Sequence, residues 1–253
     1  MKMSIRAALV VPALLCLAWL PLAGQAADVK GSGKLATETR TLPEFEAISL
    51  GDSMDLEVRQ GAQQLVQVTA DDNLLARLET VVEGTGSSAT LKVRWKRQEG
   101  QGQGWNWGWT TRSALKVTVV VPRLTALAAT GSGDIRVEAF STPVLKLSLA
   151  GSGDARLNGL TTDDLGISIS GSGDVGGNGT ATKLKVSIAG SGDVRLADMR
   201  ADDVQVSIAG SGDAAVNAQK ALKVSIAGSG DVSYTGNAAV KSTVAGSGSV
   251  TKR

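Results

Sequence analysis

The tetrapeptide Gly-Ser-Gly-Asp recurs along the second half of the chain, and its spacing limits the fold more than any other feature. It begins at Gly131, Gly151, Gly171, Gly190, Gly210 and Gly228, and closes as Gly246-Ser247-Gly248-Ser249. Successive spacings are 20, 20, 19, 20, 18 and 18 residues. A near-fixed period of this size, carried by whole repeats, denotes a solenoid, in which each unit buries its apolar face only against its neighbours.

The residues around the motif give the coil its sides. The sixth, fourth and second residues before each first glycine are apolar: Leu145, Leu147, Leu149; Leu165, Ile167, Ile169; Leu184, Val186, Ile188; Val204, Val206, Ile208; Leu222, Val224, Ile226. The residues between them are polar or small, which is the period-2 pattern of a half-buried strand. A second short strand follows each motif, as in Ile135-Arg136-Val137 and Val194-Arg195-Leu196. A third, less regular side holds Phe140, Leu160 or Met199. Three sides in 18–20 residues make one coil of an all-β, parallel β-helix, right-handed by the usual rule for parallel crossovers. Coils stacked at about 4.8 Å give the repeat half a length of roughly 30 Å. Aromatic residues make up only 3 % of the chain, so the core is aliphatic, and nearest-neighbour stacking takes the place of long-range packing.

Residues 1–26 read as an export signal. Lys2 and Arg6 precede an apolar run from Ala7 to Leu22 that contains Pro12 and Pro21, and Ala23-Gly24-Gln25-Ala26-Ala27 supplies a small-residue cleavage site. Cys16, the single cysteine, lies in this segment, and the chain has no histidine. A mature chain of this kind has no disulfide, no thiol nucleophile and no imidazole for catalysis or metal binding. Of 26 basic residues, Lys2 and Arg6 leave with the signal, so 24 remain against 24 acids. A neutral chain offers no net field for nucleic acid, and no transmembrane segment is expected in the mature protein.

The rest of the chain is expected as a flexible leader over 27–44 and one β-solenoid domain over 45–253. The domain divides into an irregular β section, 45–122, and the repeats, 123–253. Alternating strands are read at 54–58, 65–68, 91–95 and 115–121, with a short helical turn at 72–78 that gathers Leu74, Leu75 and Leu78. Between Trp95 and Leu115 lies a Gly- and Gln-rich stretch with Trp105-Asn106-Trp107-Gly108-Trp109. It reads as the tip of a long hairpin.

Two candidate sites follow. The acids Asp134, Asp154, Asp174, Asp193, Asp213 and Asp231 stack into one column, and carboxylates about 4.8 Å apart repel. Either each accepts backbone amides at the corner or the column shares cations, calcium among them. Six equivalent acids do not form the single unequal pair that glycoside hydrolysis uses. The glycines beside them suit a corner that requires positive φ. In the second candidate, Trp105, Trp107 and Trp109 alternate and would share one face of a strand. They would either cap the solenoid or form an aromatic platform for sugar rings or a lipid–water interface.

Phe45 with Ile48, Asp52-Ser53-Met54-Asp55-Leu56, Asp72-Asn73-Leu74-Leu75, the Leu91-Lys92-Val93 strand and the serial corners resemble the putative auto-transporter adhesin, head GIN domain family, from about Phe45 to Ser249. The resemblance implies an exported bacterial protein with a right-handed parallel β-helix and supplies no catalytic residues. The chain closes Val250-Thr251-Lys252-Arg253, without the alternating strands of a translocator barrel. The expected location is therefore the periplasm or the cell surface. The function expected is a non-enzymatic binding or structural module of the envelope, a putative adhesin, with a surface glycan or an envelope protein as partner. The alternatives are a carbohydrate-binding or polysaccharide-processing protein and a calcium-stabilised repeat protein. An uncovered last coil would invite strand pairing with another chain.

Overall fold

The computed structural model describes residues 29–96, 109–110 and 114–253; the expected export signal, 1–26, lies outside them. The strands are β1 (Val29–Lys30), β2 (Leu35–Arg40), β3 (Ala47–Leu50), β4 (Asp55–Gln60), β5 (Leu65–Asp71), β6 (Leu78–Glu83), β7 (Thr90–Trp95) and β8 (Trp109–Thr110). They continue as β9 (Lys116–Val121), β10 (Ala126–Gly131), β11 (Ile135–Glu138), β12 (Ser141–Gly151), β13 (Ala155–Gly171), β14 (Val175–Gly190), β15 (Val194–Gly210), β16 (Ala214–Gly228), β17 (Val232–Thr235), β18 (Ala239–Gly246) and β19 (Val250–Lys252). Stacked parallel coils form a β-solenoid of about 6 turns.

Each coil has two walls and a short third side. The first wall stacks β7, β3, β10, the segments of β12 to β16 that run into each first glycine, and β18. The second stacks β9, β4, β11, the opening segments of β13 to β16, then β17 and β19. On the third side Thr142 pairs with Thr162, Thr162 with Ala181, and Ala181 with Ala201. The aliphatic columns read from the sequence face inward, and Phe140, Leu160 and Met199 are buried on the third side as expected. Thr142 and Thr162 are buried too; their hydroxyls donate to the carbonyls of Leu124 at 2.9 Å and Pro143 at 3.2 Å.

The N-terminal half departs from the sequence reading in three places. First, the 27–44 stretch, expected as a flexible leader, contains β2, which pairs antiparallel with β5 from Leu35↔Asp71 to Arg40↔Val66. The face that it shares with Val66 and Val68 carries Ala36, Glu38 and Arg40 rather than an apolar row, which is why alternation did not reveal it. Second, the 72–78 turn is a single 3-10 turn at Leu75–Arg77, with Leu74, Leu75 and Leu78 buried as expected.

The third departure concerns β7 and β9, which do not form a hairpin with each other. β7 runs parallel to β3 and antiparallel to β6, whereas β9 runs parallel to β4 and antiparallel to β5. They are two walls of one coil lying beneath the coil of β3 and β4. The chain then passes from β4 through β5 to β9 before rejoining the stack at β10.

This excursion closes the N-terminal end. β6 covers the first wall and β5 with β2 extend the second, all three antiparallel to the strands that they cover. Edge strand β2 carries charge on the face that it shares with Val66 and Val68: half-buried Arg40 lies 2.7 Å from exposed Glu38 and donates to the Leu75 carbonyl at 2.9 Å. Charge on an edge strand is a recognised way to keep it from pairing further.

Candidate functional site

The corner column presents the same acidic chemistry coil after coil, from Asp134 to Asp231. Both glycines are there for steric reasons. Gly151, Gly171, Gly190, Gly210 and Gly228 have φ between 134° and 143°, a region open to glycine and costly for other residues. The second glycine of each motif has no such φ, yet a Cβ on Gly153, Gly173, Gly192, Gly212 or Gly230 would stand 2.1–2.2 Å from a carbonyl oxygen of the coil before it. The coils approach backbone to backbone at this edge, and the Ser172 amide donates to the Gly151 carbonyl at 2.9 Å.

The aspartates form a ladder. Oδ1 of Asp154 accepts the Asp174 amide at 3.0 Å, Asp174 that of Asp193 at 2.9 Å, Asp193 that of Asp213 at 2.9 Å and Asp213 that of Asp231 at 2.8 Å. The ladder begins one coil before the first Gly-Ser-Gly-Asp, where Oδ1 of Asp55 accepts the Asp134 amide at 3.0 Å. A longer contact of 3.4 Å joins Asp134 to the Asp154 amide. At the other end Ser249 replaces aspartate; its amide and hydroxyl both donate to Asp231, at 2.7 and 2.8 Å. Of the two readings open for this column, the geometry is that of amide acceptors. Among the described residues no three His, Cys, Asp or Glu side chains gather as a metal ion would require.

Sequence reading missed the first corner because it lacks glycine. Ile135 pairs with Leu56 and Ala129 with Leu50, so Asp52-Ser53-Met54-Asp55 stands beneath Gly131-Ser132-Gly133-Asp134. Asp52 has φ 66°, the left-handed region that aspartate tolerates. The hydroxyls of Ser53 and Ser132 lie 2.7 Å apart.

Arg195 clamps two rungs of the ladder. It donates to Asp174 at 2.7 Å and Asp193 at 2.9 Å. Partial burial pushes the Asp174 carboxyl up, but the Asp193 amide and the Arg195 guanidinium outweigh it and hold the group below the usual carboxylate value. Asp174 in turn raises the Arg195 pKa. Near the other end of the second wall Glu57 is held low mainly by its hydrogen bond from Lys116 at 2.6 Å, against the effect of burial and with help from Arg59. These are paired surface charges.

Trp105 and Trp107 lie outside the described residues. Backbone strand β8 places Trp109 opposite Val29 in a two-stranded parallel pair. The framework does fix where the tryptophan-rich stretch is inserted. Ser49 and Leu50 pair with Lys92 and Val93, and Asp55 and Leu56 pair with Lys116 and Val117. Between these paired positions the coil above has four residues, 51–54, where the lowest coil has 94–115, of which Arg94 and Trp95 end β7.

A model of the putative auto-transporter adhesin, head GIN domain, family matches residues 44–238. The chain belongs to this family. Several solved structures share its fold. A putative adhesin from Bacteroides fragilis superposes with a TM-score of 0.80 at 24 % identity, over 89 % of this chain and 100 % of the other. A putative lipid binding protein from Parabacteroides distasonis gives 0.71 at 26 % identity, over 89 % and 99 %. A putative adhesin from Parabacteroides merdae gives 0.65 at 25 %, over 89 % and 98 %. No curated protein matches the chain. Among the described residues no helix is long and apolar enough to cross a membrane.

Proposed function

We propose that the protein is an exported, non-enzymatic adhesin-like module of the bacterial cell envelope that contacts its ligand through the tryptophan-rich stretch. The observation that carries this reading is the break in the repeat between β7 and β9. The corners from 52–55 to 228–231 are four residues long and carry the aspartate ladder, whereas the insertion between β7 and β9 spans 94–115 and holds Trp95, Trp105, Trp107 and Trp109. Flat aromatic faces beside Asn106, Gln101 and Gln103 suit the apolar face and hydroxyl rim of a sugar ring, so a surface glycan is the ligand class.

Binding of the full chain to glycan arrays and to whole envelopes tests this, with Trp105→Ala and Trp107→Ala alone and together. A loss of at least ten-fold in the double variant with an unchanged melting temperature supports it; unchanged binding refutes it. The description of the Parabacteroides distasonis neighbour as lipid binding motivates a parallel arm with lipid vesicles. Tryptophan-dependent capture there, with none on glycans, transfers the site to the lipid–water interface.

A further inference from the structure

The two ends of the solenoid are built differently. The N-terminal end is closed by antiparallel β6, β5 and β2, with the charged pair Glu38 and Arg40 on edge strand β2. Nothing comparable covers the C-terminal end among the described residues. β18 pairs only with β16, and β19 only with β17. All eight residues of β18 are exposed. That includes Val240 and Val244, 37 % and 40 % exposed, although they stand in register with buried Leu222 and Ile226. These two valines are the last row of the core.

The free main-chain groups can be assigned. Lys146 donates its amide back to Thr125, and Ser247 donates back to Gly228. Lys146 and Lys241 occupy the same register column, so residues 241, 243 and 245 bond to β16. The N–H and C=O groups of Val240, Ser242 and Val244 point out of the open end.

We infer that this end is an interface for a second copy of the chain, with β18 pairing antiparallel to its own copy about a two-fold axis through Ser242. The strand Val240-Lys241-Ser242-Thr243-Val244 reads the same in both directions at its inward positions: valine, serine, valine. Antiparallel partners directly opposite each other share a face and, in the hydrogen-bonded pairs, exchange both bonds. With Ser242 opposite Ser242, Val240 meets Val244 of the second copy twice, core side to core side. The three outward-pointing residues of each copy supply on the order of six main-chain bonds. A shift of one residue would set apolar against polar faces.

Charge narrows the choice further. The last coil carries Lys241, Lys252 and Arg253 and no acid after Asp231. A shift of two residues would place Lys241 directly opposite itself, whereas the chosen register places it opposite Thr243. The N-terminal end of a second copy is already covered, so a head-to-tail stack has no matching edge. Walls of about 20 Å make an end face that, with side chains, presents roughly 500 Å² per copy. A pair then buries on the order of 1,000 Å², the size at which specific interfaces begin.

The test is sedimentation of the full exported chain at micromolar concentrations, together with cysteine crosslinking. Twice the chain mass is expected, with Val244→Lys and Ser242→Pro each weakening association at least ten-fold. Proline at 242 removes only an outward donor, which an edge strand tolerates. Ser242→Cys places two thiols opposite each other with Cα atoms about 5.5 Å apart, within disulfide reach, so it should crosslink under mild oxidation much faster than Lys241→Cys. A monomer at all concentrations, a dimer indifferent to both edge variants, a concentration-dependent ladder of larger species, or equal crosslinking at 241 and 242 would each overturn the inference.

Discussion

Gly192→Ala isolates what the corner glycines do. A Cβ at this position would lie 2.1 Å from the Gly173 carbonyl oxygen and 3.0 Å from Cγ2 of Ile169. The obstacle is backbone, so the two coils must separate locally by about 1 Å to restore van der Waals contact. Two bonds flank the site: the Ser191 amide to the Gly171 carbonyl at 2.9 Å, and the Asp193 amide to Oδ1 of Asp174 at 2.9 Å. Stretched by about 1 Å, both pass out of hydrogen-bonding range. One neutral bond and one charge-assisted bond together are worth about 2–4 kcal/mol. A chain of this size loses about 2–4 °C of melting temperature per kcal/mol, so a fall of about 5–15 °C is expected in a thermal melt followed by circular dichroism. Gly166→Ala is the control. Its nearest atom is Cγ of Lys146, 3.9 Å away, and alanine there also lowers unfolded-chain entropy, so its melting temperature should hold or rise slightly. The reasoning fails if Gly192→Ala melts within about 2 °C of the parent or if Gly166→Ala falls as far.

The aspartate ladder and the Arg195 clamp give two more tests. Asp213→Ala removes the acceptor of the Asp231 amide and should lower the melting temperature by a few degrees, about 1–2 kcal/mol. Asp213→Asn keeps a side-chain oxygen and should recover most of the loss; if the two variants melt alike, the carboxylate is not acting as an amide acceptor. For pH, Asp174 has its folded pKa below the ordinary value. Its contribution is therefore present above that ordinary value and is lost as pH falls through the folded one. Melting temperature should decline below about pH 4, and the decline should be shallower in Asp174→Asn; identical slopes in parent and variant would contradict the clamp.

How much of this was legible depended on whether a residue's role repeats. Leu147, Ile167, Val186, Val206 and Val224 announce a column because the sequence returns to the same chemistry at the same offset. The period gives both face and partner. Leu91 and Val93, or Val117 and Val119, announce a face only: alternation marked β7 and β9 as strands, but nothing local says that each pairs with a strand 40 or more positions away in the chain rather than with the other. Strand β2 was hidden by its function, since Glu38 and Arg40 erase the apolar row that would have revealed it. The first corner was hidden by its substitutions, Asp52 for glycine and Met54 for glycine, although Asp55 already stood in the ladder position.

The same distinction separates what this fold can use for stability from what it can use for recognition. A residue repeated in every coil must satisfy its neighbours above and below, and the corner aspartates, serines and glycines do so completely. Even the charged edge between the third side and the first wall follows that rule. Asp163 and Asp164 precede one strand, Lys183 and Lys185 belong to the next, Asp202 and Asp203 to the next, and Lys220 and Lys223 to the one after. Lys183 thus stands 4.0 Å from Asp164, and Lys220 stands 2.8 Å from Asp202. Alternation by coil sets acid beside base, and a slip by one coil would set acid on acid. It guards the register. On the proposals above, chemistry that has to be unique falls to the places where the repeat pattern is interrupted: the insertion between β7 and β9, and the face of β18 that no described strand covers.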